Sequence, residues 1–212
     1  MKKTHLLLLV IGLALLASCR VKTSPAAISE AQLLQLLVEL RSVDIVGAEK
    51  QRLGPEHDSG YVMIAGQDYD VLYSYGIGSD MGFESHFVAE NRICAYLYDH
   101  TIGGLPEENP SPLISWKPEG IGPRRTAALN SLQGHVAENG HAEEENLLLN
   151  MGVEGAEWLS LLATPDDVMG RCKQLVMELH GFGTETGDAF DNQAKVLRKL
   201  NETFHLAHVH GN

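Results

Sequence analysis

The stretch DVLYSYGIGSD, residues 70–80, decides the fold that the sequence predicts. Its first half is an apolar and aromatic run of strand length, and its second half is a turn with glycine at positions 76 and 78. A buried strand that ends in glycines and leads into a helix is typical of nucleotide-binding α/β units. Position 81 is Met, so the full GxGxxG pattern is absent. The turn alone is therefore equally consistent with a ligand site and with a simple tight turn.

Strands and helices alternate along the chain after this stretch. Further strands are expected at Ile93–Tyr98, Leu113–Trp116, Leu147–Met151, Gln174–Leu179 and Thr203–His210. Helices are expected after Ser29, around Phe83–Glu90, from Pro123, near Glu154 and after Asp188. Nearly continuous apolar strands separated by helices predict a parallel sheet covered on both faces. The expected fold class is α/β, a Rossmann-like three-layer α/β/α sandwich with the 70–75 strand inside the sheet.

Composition bounds the class of protein. The chain has 212 residues, 44% of them hydrophobic, which suits one domain with a real core. Its formal net charge is −12, and no Lys/Arg cluster balances the acid, so nucleic-acid binding is not expected. Cysteines at positions 19, 94 and 172 have no zinc-binding spacing. Cys94, within an apolar segment, is expected to be a buried thiol, and a disulfide with Cys172 is the less favoured alternative.

The N-terminus is predicted to be an export signal of the lipoprotein type, residues 1–18. Lys2 and Lys3 precede the apolar run Leu6–Leu16, which is too short to span a bilayer. The sequence LASC, residues 16–19, resembles a lipobox, so Cys19 is the expected lipidation site. An ordinary signal peptide is the alternative. Residues 19–28 would be a tether, 29–212 the domain, and the protein an exported, membrane-anchored lipoprotein of the cell envelope.

A carboxylate follows the second strand of the unit. Asp99 lies 21 residues after Gly78. From this position a carboxylate can accept hydrogen bonds from the hydroxyls of a ribose. A solvated aspartate at a strand end is the alternative, but the combination with the glycine turn favours a nucleoside site.

Two further groups of polar residues follow later strands. EGAEW, residues 154–158, opens a helix, where acidic residues also stabilise the helix dipole. Glu178 and His180 are two residues apart on a strand and should project from the same face. They are candidates for binding or proton transfer, or else a mutually satisfied structural pair. His205, His208 and His210 do not converge on a strand, so no metal site is expected there.

Several motifs together resemble one family. They are RLGPEHDSGYV (52–62), DVLYSYGIGSDMGFE (70–84), AYLYDHT (95–101), LLLNMGVEGAEW (147–158), QLVMELH (174–180) and KLNETFHLAHVHGN (199–212). The set resembles the FkbM-like S-adenosylmethionine-dependent methyltransferases, over about residues 50–212. The resemblance implies S-adenosylmethionine as cofactor, with Gly76, Gly78, Asp80 and Asp99 in its binding site. It also implies that Glu154 faces the reacting methyl group and that His180 takes the acceptor proton.

The sequence departs from this family at three places. Gly152 stands where the family commonly has Asp, and Ser59 stands where it prefers Gly. Family members also continue into a further strand, which lies antiparallel between the fifth and sixth strands. Without that strand, the 204–210 segment is expected to pair directly with 174–179 or to remain an exposed edge.

Two functions are consistent with the sequence. The first is an O-methyltransferase that acts on a sugar or another small hydroxyl acceptor, in keeping with the glycine turn and Asp99. The second is an exported lipoprotein that keeps the fold as a non-catalytic binding domain, in keeping with Gly152 and the missing strand.

Overall fold

A computed structural model describes the backbone of residues 5–11 and all atoms of residues 28–56 and 59–211. The helices are α1 Glu30–Glu39, α2 Gly82–Asn91, α3 Leu132–Glu138, α4 Ala156–Ala163, α5 Asp166–Met169 and α6 Asp188–Thr203. The strands are β1 His5–Ile11, β2 Lys50–Leu53, β3 Tyr61–Ile64, β4 Val71–Tyr75, β5 Ala95–Tyr98, β6 Ile114–Lys117, β7 Gly120–Ile121, β8 Leu129–Asn130, β9 Leu147–Met151, β10 Cys172–Leu179 and β11 Phe204–Gly211.

Within the described residues the main sheet has seven strands, in the order β11-β1-β10-β9-β4-β5-β6, and all its pairings are parallel. The five strands from β10 to β6 form one continuous block, and helices flank the sheet. The expected Rossmann-like α/β architecture is confirmed. The β4 strand lies in the interior of the sheet between β9 and β5, as predicted.

Both faces of the sheet are buried, which explains the apolar strands. Every residue of β4 and of β9 is buried. Side chains alternate along a strand, so Leu72 and Leu148 pack into one hydrophobic cluster while Tyr73 and Leu149 pack into the other. This two-sided burial favours the continuous apolar runs that the sequence shows over a polar–apolar alternation.

The sheet position between β10 and β11 is occupied by β1. Its residues 6–11 pair in parallel with residues 174–179 of β10, and its other edge pairs in parallel with β11. The expected direct pairing of the 204–210 segment with 174–179 is therefore wrong, and the alternative, that this segment is an edge of the sheet, is what the structure has, with β1 as its one neighbour in the described sheet. The apolar segment predicted as part of the export signal occupies this position, as a parallel and not an antiparallel strand, and β11 is the sheet edge.

The helix starts differ in part from the predicted ones. The helix expected after Ser29 is α1, and Ser29 and Gln32 form a capping box at its start. No helix begins at Pro123; the chain instead forms β7 and β8, and α3 starts after Ser131, whose hydroxyl accepts from the Gly134 N–H. Asp188 is the first residue of α6 and does not cap it, because the preceding Gly187 holds the N-cap position.

The cysteine predictions are resolved as well. Cys94 precedes β5 and is exposed, so the expectation of a buried thiol is wrong. Cys172 is buried in β10, and both thiols are free. Cys19 lies outside the described residues. In the described part of the chain, no helix is long and apolar enough to cross a membrane.

Outside the main sheet, β2 and β3 form an antiparallel pair. The loop between them carries part of the motif RLGPEHDSGYV, and His57 and Asp58 in it lie outside the described residues. The pair brings Tyr61 to the carboxyl edge of the main sheet, where its hydroxyl reaches Glu178. Residues far apart in the chain therefore meet at this edge.

Candidate functional site

The turn after β4 and the end of β5 meet at the carboxyl edge of the sheet. The Gly78 N–H donates a hydrogen bond to Asp99 Oδ2 at 2.9 Å, and the Gly76 N–H donates to the Tyr98 carbonyl at 3.0 Å. The predicted proximity of Asp99 to the 76–80 turn is confirmed. Carboxyl ends of adjacent parallel strands are where open α/β sheets bind ligands.

The two glycines of the turn are required for different reasons. Both have positive φ, +83° at Gly76 and +56° at Gly78. A Cβ on Gly76 would lie 1.8 Å from the Gly152 carbonyl oxygen, so the β4 turn and the β9 turn can approach only because this residue is glycine. A Cβ on Gly78 would meet nothing within 4 Å. Gly76 therefore allows the close packing of two turns, whereas Gly78 faces open space.

Asp99 is fixed by three hydrogen bonds. It is only 5% exposed. Besides the Gly78 bond, its Oδ1 accepts from the Thr101 N–H at 2.7 Å and from the Thr101 hydroxyl at 2.6 Å. Burial acts to raise the pKa of the Asp99 carboxyl, but these hydrogen bonds outweigh it and lower the pKa below its ordinary value. A carboxylate has about four acceptor positions, so roughly one remains for a ligand hydroxyl.

A cavity of about 360 Å³ opens beside this turn. Its lining is Gly76, Gly78, Tyr98, Asp99, His100, Thr101, Gly120, Ile121, Gly152, Val153, Glu154 and Ala156. We call it the first cavity. It lies in the size range of small-molecule sites and combines an apolar wall with a few polar groups. Asp80 is not among the lining residues; its carboxylate accepts from the Gly82 N–H at 2.7 Å and holds the start of α2.

His180 lies among three carboxylates on the side of the edge where β10 ends. Its Nε2 is 3.5 Å from Glu178 Oε2 and 3.6 Å from Glu154 Oε1, and its Nδ1 is 3.3 Å from Glu157 Oε1. Glu178 also accepts from the Tyr61 hydroxyl at 3.1 Å. The structure thus brings the predicted Glu154, Glu178 and His180 together.

Glu157 is the residue that sequence reasoning left out of the site. It is fully buried, and its carboxylate accepts from the His180 N–H at 2.6 Å and from the Gly155 N–H at 2.8 Å. Glu157, next to the ring, raises the pKa of His180; burial opposes this, and Glu154 and Glu178 add to the increase. An acidic residue in the first turn of a helix usually faces solvent, so nothing in the sequence indicates that Glu157 is buried.

The EGAEW motif also fixes the end of β10. Trp158 Nε1 donates to the His180 carbonyl at 2.8 Å, next to the bond from the His180 N–H to Glu157. Glu154 and Gly155 both have positive φ, +53° and +100°, and form the sharp turn before α4. The motif therefore positions His180, while the exposed Glu154 side chain extends along the wall of the first cavity.

A buried polar network lies beneath the glycine turn. The Ser74 hydroxyl donates to Glu84 Oε1 at 2.5 Å, and Asn150 Nδ2 donates to the same oxygen at 3.0 Å. Burial raises the pKa of Glu84, against the hydrogen bonds that lower it. Since its three residues come from β4, α2 and β9, the network ties together the elements that carry the turn. Its role is positional, because none of the three lines the first cavity.

The C-terminal histidines do not form a metal centre in the described residues, and no group of three or more His, Cys, Asp or Glu side chains there could hold a metal ion. His208 Nε2 lies 3.2 Å from His210 Nδ1, so these two share a face of β11. His205 is exposed.

Fold and site together define a Rossmann-like α/β protein with a cavity at the carboxyl ends of its parallel strands. Comparisons with family models, curated proteins and solved structures found no match to the chain. The functional interpretation therefore rests on the geometry of the site.

Proposed function

We propose that the protein is an S-adenosylmethionine-dependent methyltransferase that transfers a methyl group to a hydroxyl of a sugar or another small acceptor. The observation that carries this proposal is the contact between Gly78 and Asp99 beside the first cavity. A glycine turn with a carboxylate on the adjacent strand is the arrangement that binds the ribose of nucleoside cofactors.

The residues around the first cavity fit such a cofactor. Asp99 has about one acceptor position left for a ribose hydroxyl. Ile121 and Val153 offer apolar surface for a base, and the open side of Gly78 leaves room for the ligand. The Glu154 carboxylate on the wall favours a ligand with positive charge, as a sulfonium has.

The bound cofactor would supply an activated methyl group: the acceptor oxygen forms the new C–O bond as the C–S bond breaks and its electron pair stays on sulfur. The protein's task is then mainly to align the acceptor. His180 Nε2 is the group proposed to take the acceptor proton and to release it to solvent. Glu157, whose Oε1 lies 3.3 Å from Nδ1, is the charge proposed to orient the ring for this.

A binding-only role is the second candidate, and one observation favours it. At Gly152, where the resembling family has an acid, a Cβ would lie 3.5 Å from the Tyr61 hydroxyl and 3.7 Å from Glu178 Oε2. A carboxylate there would stand inside the cluster around His180, and this chain lacks it. In this alternative the protein, anchored through Cys19 and exported, would bind the nucleoside without turnover.

Calorimetry tests the proposal. We expect the purified chain to bind S-adenosylmethionine and S-adenosylhomocysteine, and Asp99→Asn to weaken binding by about tenfold to a hundredfold. Asp70→Asn is the matched control, because Asp70 accepts from the Asn146 N–H on the amino side of β4, away from the cavity. Absence of binding to the unaltered chain, or equal affinity in Asp99→Asn, would contradict the proposal. Binding without formation of S-adenosylhomocysteine in the presence of acceptors would favour the binding-only role.

A further inference from the structure

A second cavity of about 370 Å³ lies beside the first, between α4, the end of β10 and the start of α6. Its lining is Glu154, Gly155, Trp158, Leu159, His180, Gly181, Glu185, Ala189, Asn192 and Gln193. The two cavities share Glu154. His180 lines only the second, so the proposed base faces this space and not the proposed cofactor space.

Gln193 is the unusual residue of the second cavity. It is only 1% exposed, and its Nε2 donates to the Gly181 carbonyl at 3.0 Å. Its amide oxygen is buried and accepts no hydrogen bond within the described part of the chain. A buried polar atom without a partner is unfavourable, and a ligand that donates a hydrogen bond would remove that penalty.

The charge of the lining limits what the second cavity can accept. Glu154 and Glu185 are acidic, and among the described lining residues none is Lys or Arg. The His180 ring is the basic group of this lining, and it faces the three carboxylates of Glu154, Glu157 and Glu178. Amide and carboxylate oxygens accept hydrogen bonds from hydroxyl or amine groups, and they repel phosphate, sulfate or carboxylate groups. Trp158 and Leu159 add apolar surface against which a sugar ring can pack.

We propose that the second cavity is the acceptor site, that Gln193 recognises a hydroxyl or amine of the acceptor, and that the acceptor is a polyhydroxylated molecule without negative charge. This inference rests on the proposed function for its chemistry, but its binding prediction can be tested separately. Four probes share one ring and differ in charge: glucose, glucosamine, glucuronate and glucose 6-phosphate. Saturation-transfer NMR on the full chain reports the binding of each.

We expect signals from glucose and glucosamine, and signals at least about tenfold weaker from the two anionic probes. Gln193→Leu should reduce the glucose and glucosamine signals by about tenfold. Gln174→Leu is the matched control: Gln174 is an equally buried glutamine that accepts from the Ile64 N–H at 3.3 Å, outside both cavities. It should leave binding unchanged.

Glu185→Lys keeps the test decisive if Gln193→Leu does not fold, because Glu185 is exposed. It should increase the binding of the anionic probes by about threefold or more. Binding of no probe, equal binding of anionic and neutral probes by the unaltered chain, or unchanged binding in a folded Gln193→Leu would overturn the inference. Calorimetry with S-adenosylmethionine on the same sample separates the two proposals: probe binding without cofactor binding contradicts only the proposed function.

Discussion

The two ends of the main sheet are assembled in different ways. The end with β4 and β5, which we call the glycine-turn end, has its turn, carboxylate and intervening helix within residues 70–101. The end with β10, β1 and β11, which we call the closing end, needs a strand from the opposite end of the chain. Local contacts require little loop closure and form readily, whereas distant pairing must offset a larger entropy. The contact between Gly78 and Asp99 therefore lies in the more local part of the fold, whereas the proposed base His180 follows β10 at the closing end.

At the closing end, strand β1 is also part of the predicted export signal. Residues 5–11 pair with both β10 and β11, and the same residues lie in the predicted export signal. A chain cleaved after Ser18 would lose β1, so this strand and a cleaved signal cannot exist in the same molecule. We therefore expect processing to affect the two ends of the sheet unequally.

Of the changes considered, deletion of residues 1–18 should lower the free energy of unfolding most. It would remove β1 and leave backbone groups of β10 and β11 without their strand partner, so we expect a loss in the free energy of unfolding on the order of 3–5 kcal/mol. Hydrogen exchange at 204–210 should accelerate far more than at 71–75. Leu8→Pro in the full chain should reproduce most of this loss, because proline removes a backbone donor from the strand. Unchanged urea midpoints for both variants would contradict the difference between the two ends.

Within the glycine-turn end, Gly76→Ala and Gly78→Ala should differ in their free energy of unfolding. Both alanines would have positive φ, which costs about 1 kcal/mol. Only at Gly76 would the added Cβ also meet the Gly152 carbonyl. We therefore expect Gly76→Ala to lower the free energy of unfolding by roughly 3 kcal/mol or more. Denaturant unfolding measures both. Equal losses would show that the turns of β4 and β9 can separate at little cost.

The difference between local and long-range contacts also explains which parts of the fold could be predicted from the sequence. The β4 strand, its glycine turn and the position of Asp99 beside that turn follow from local periodicity and spacing, and the structure has all three. The pairing of β1 could not be predicted, because an apolar run has the same pattern in a signal peptide and in a buried strand. The prediction of a helix at Pro123 is wrong because Gly120–Ile121 pairs with Leu129–Asn130 instead.

The residues around His180 were only partly predictable, because some of them meet it through local geometry and others through tertiary contacts. Glu178 and His180 share one strand face by local geometry, which the sequence shows. Glu157 and Tyr61 reach them from a helix and from the separate β2–β3 pair. Burial of the Glu157 carboxylate depends on that tertiary arrangement and not on its neighbours in the chain.

A smaller effect should appear in the pH dependence of methyl transfer. The pKa of His180 is raised, so the ring stays protonated to higher pH and can accept a proton only above that value. We expect kcat/KM to rise with pH and to level off above pH 6.5, the ordinary value for histidine. Glu157 is the main cause of the raised pKa of His180. Glu157→Gln should therefore move the midpoint of the rise in kcat/KM to lower pH.

The stability contribution of the same group has the opposite dependence on pH. It is fully present below pH 6.5 and is lost as pH rises through the raised pKa of the folded state. Glu202→Gln, at an exposed position near the end of α6, is the control and should leave both profiles unchanged. A midpoint of the rise in kcat/KM that stays in place in Glu157→Gln would show that another group titrates.

Hydrogen exchange with and without S-adenosylmethionine tests the central claim most directly, because it reports on both ends of the sheet in one experiment. We expect the cofactor to slow exchange at residues 76–80 and 99–101, which form the turn and the carboxylate loop of the first cavity. Exchange at 204–210 in β11 should not change. Slowed exchange at 204–210 with none at 76–80 and 99–101, or no change anywhere at saturating cofactor, would contradict the account.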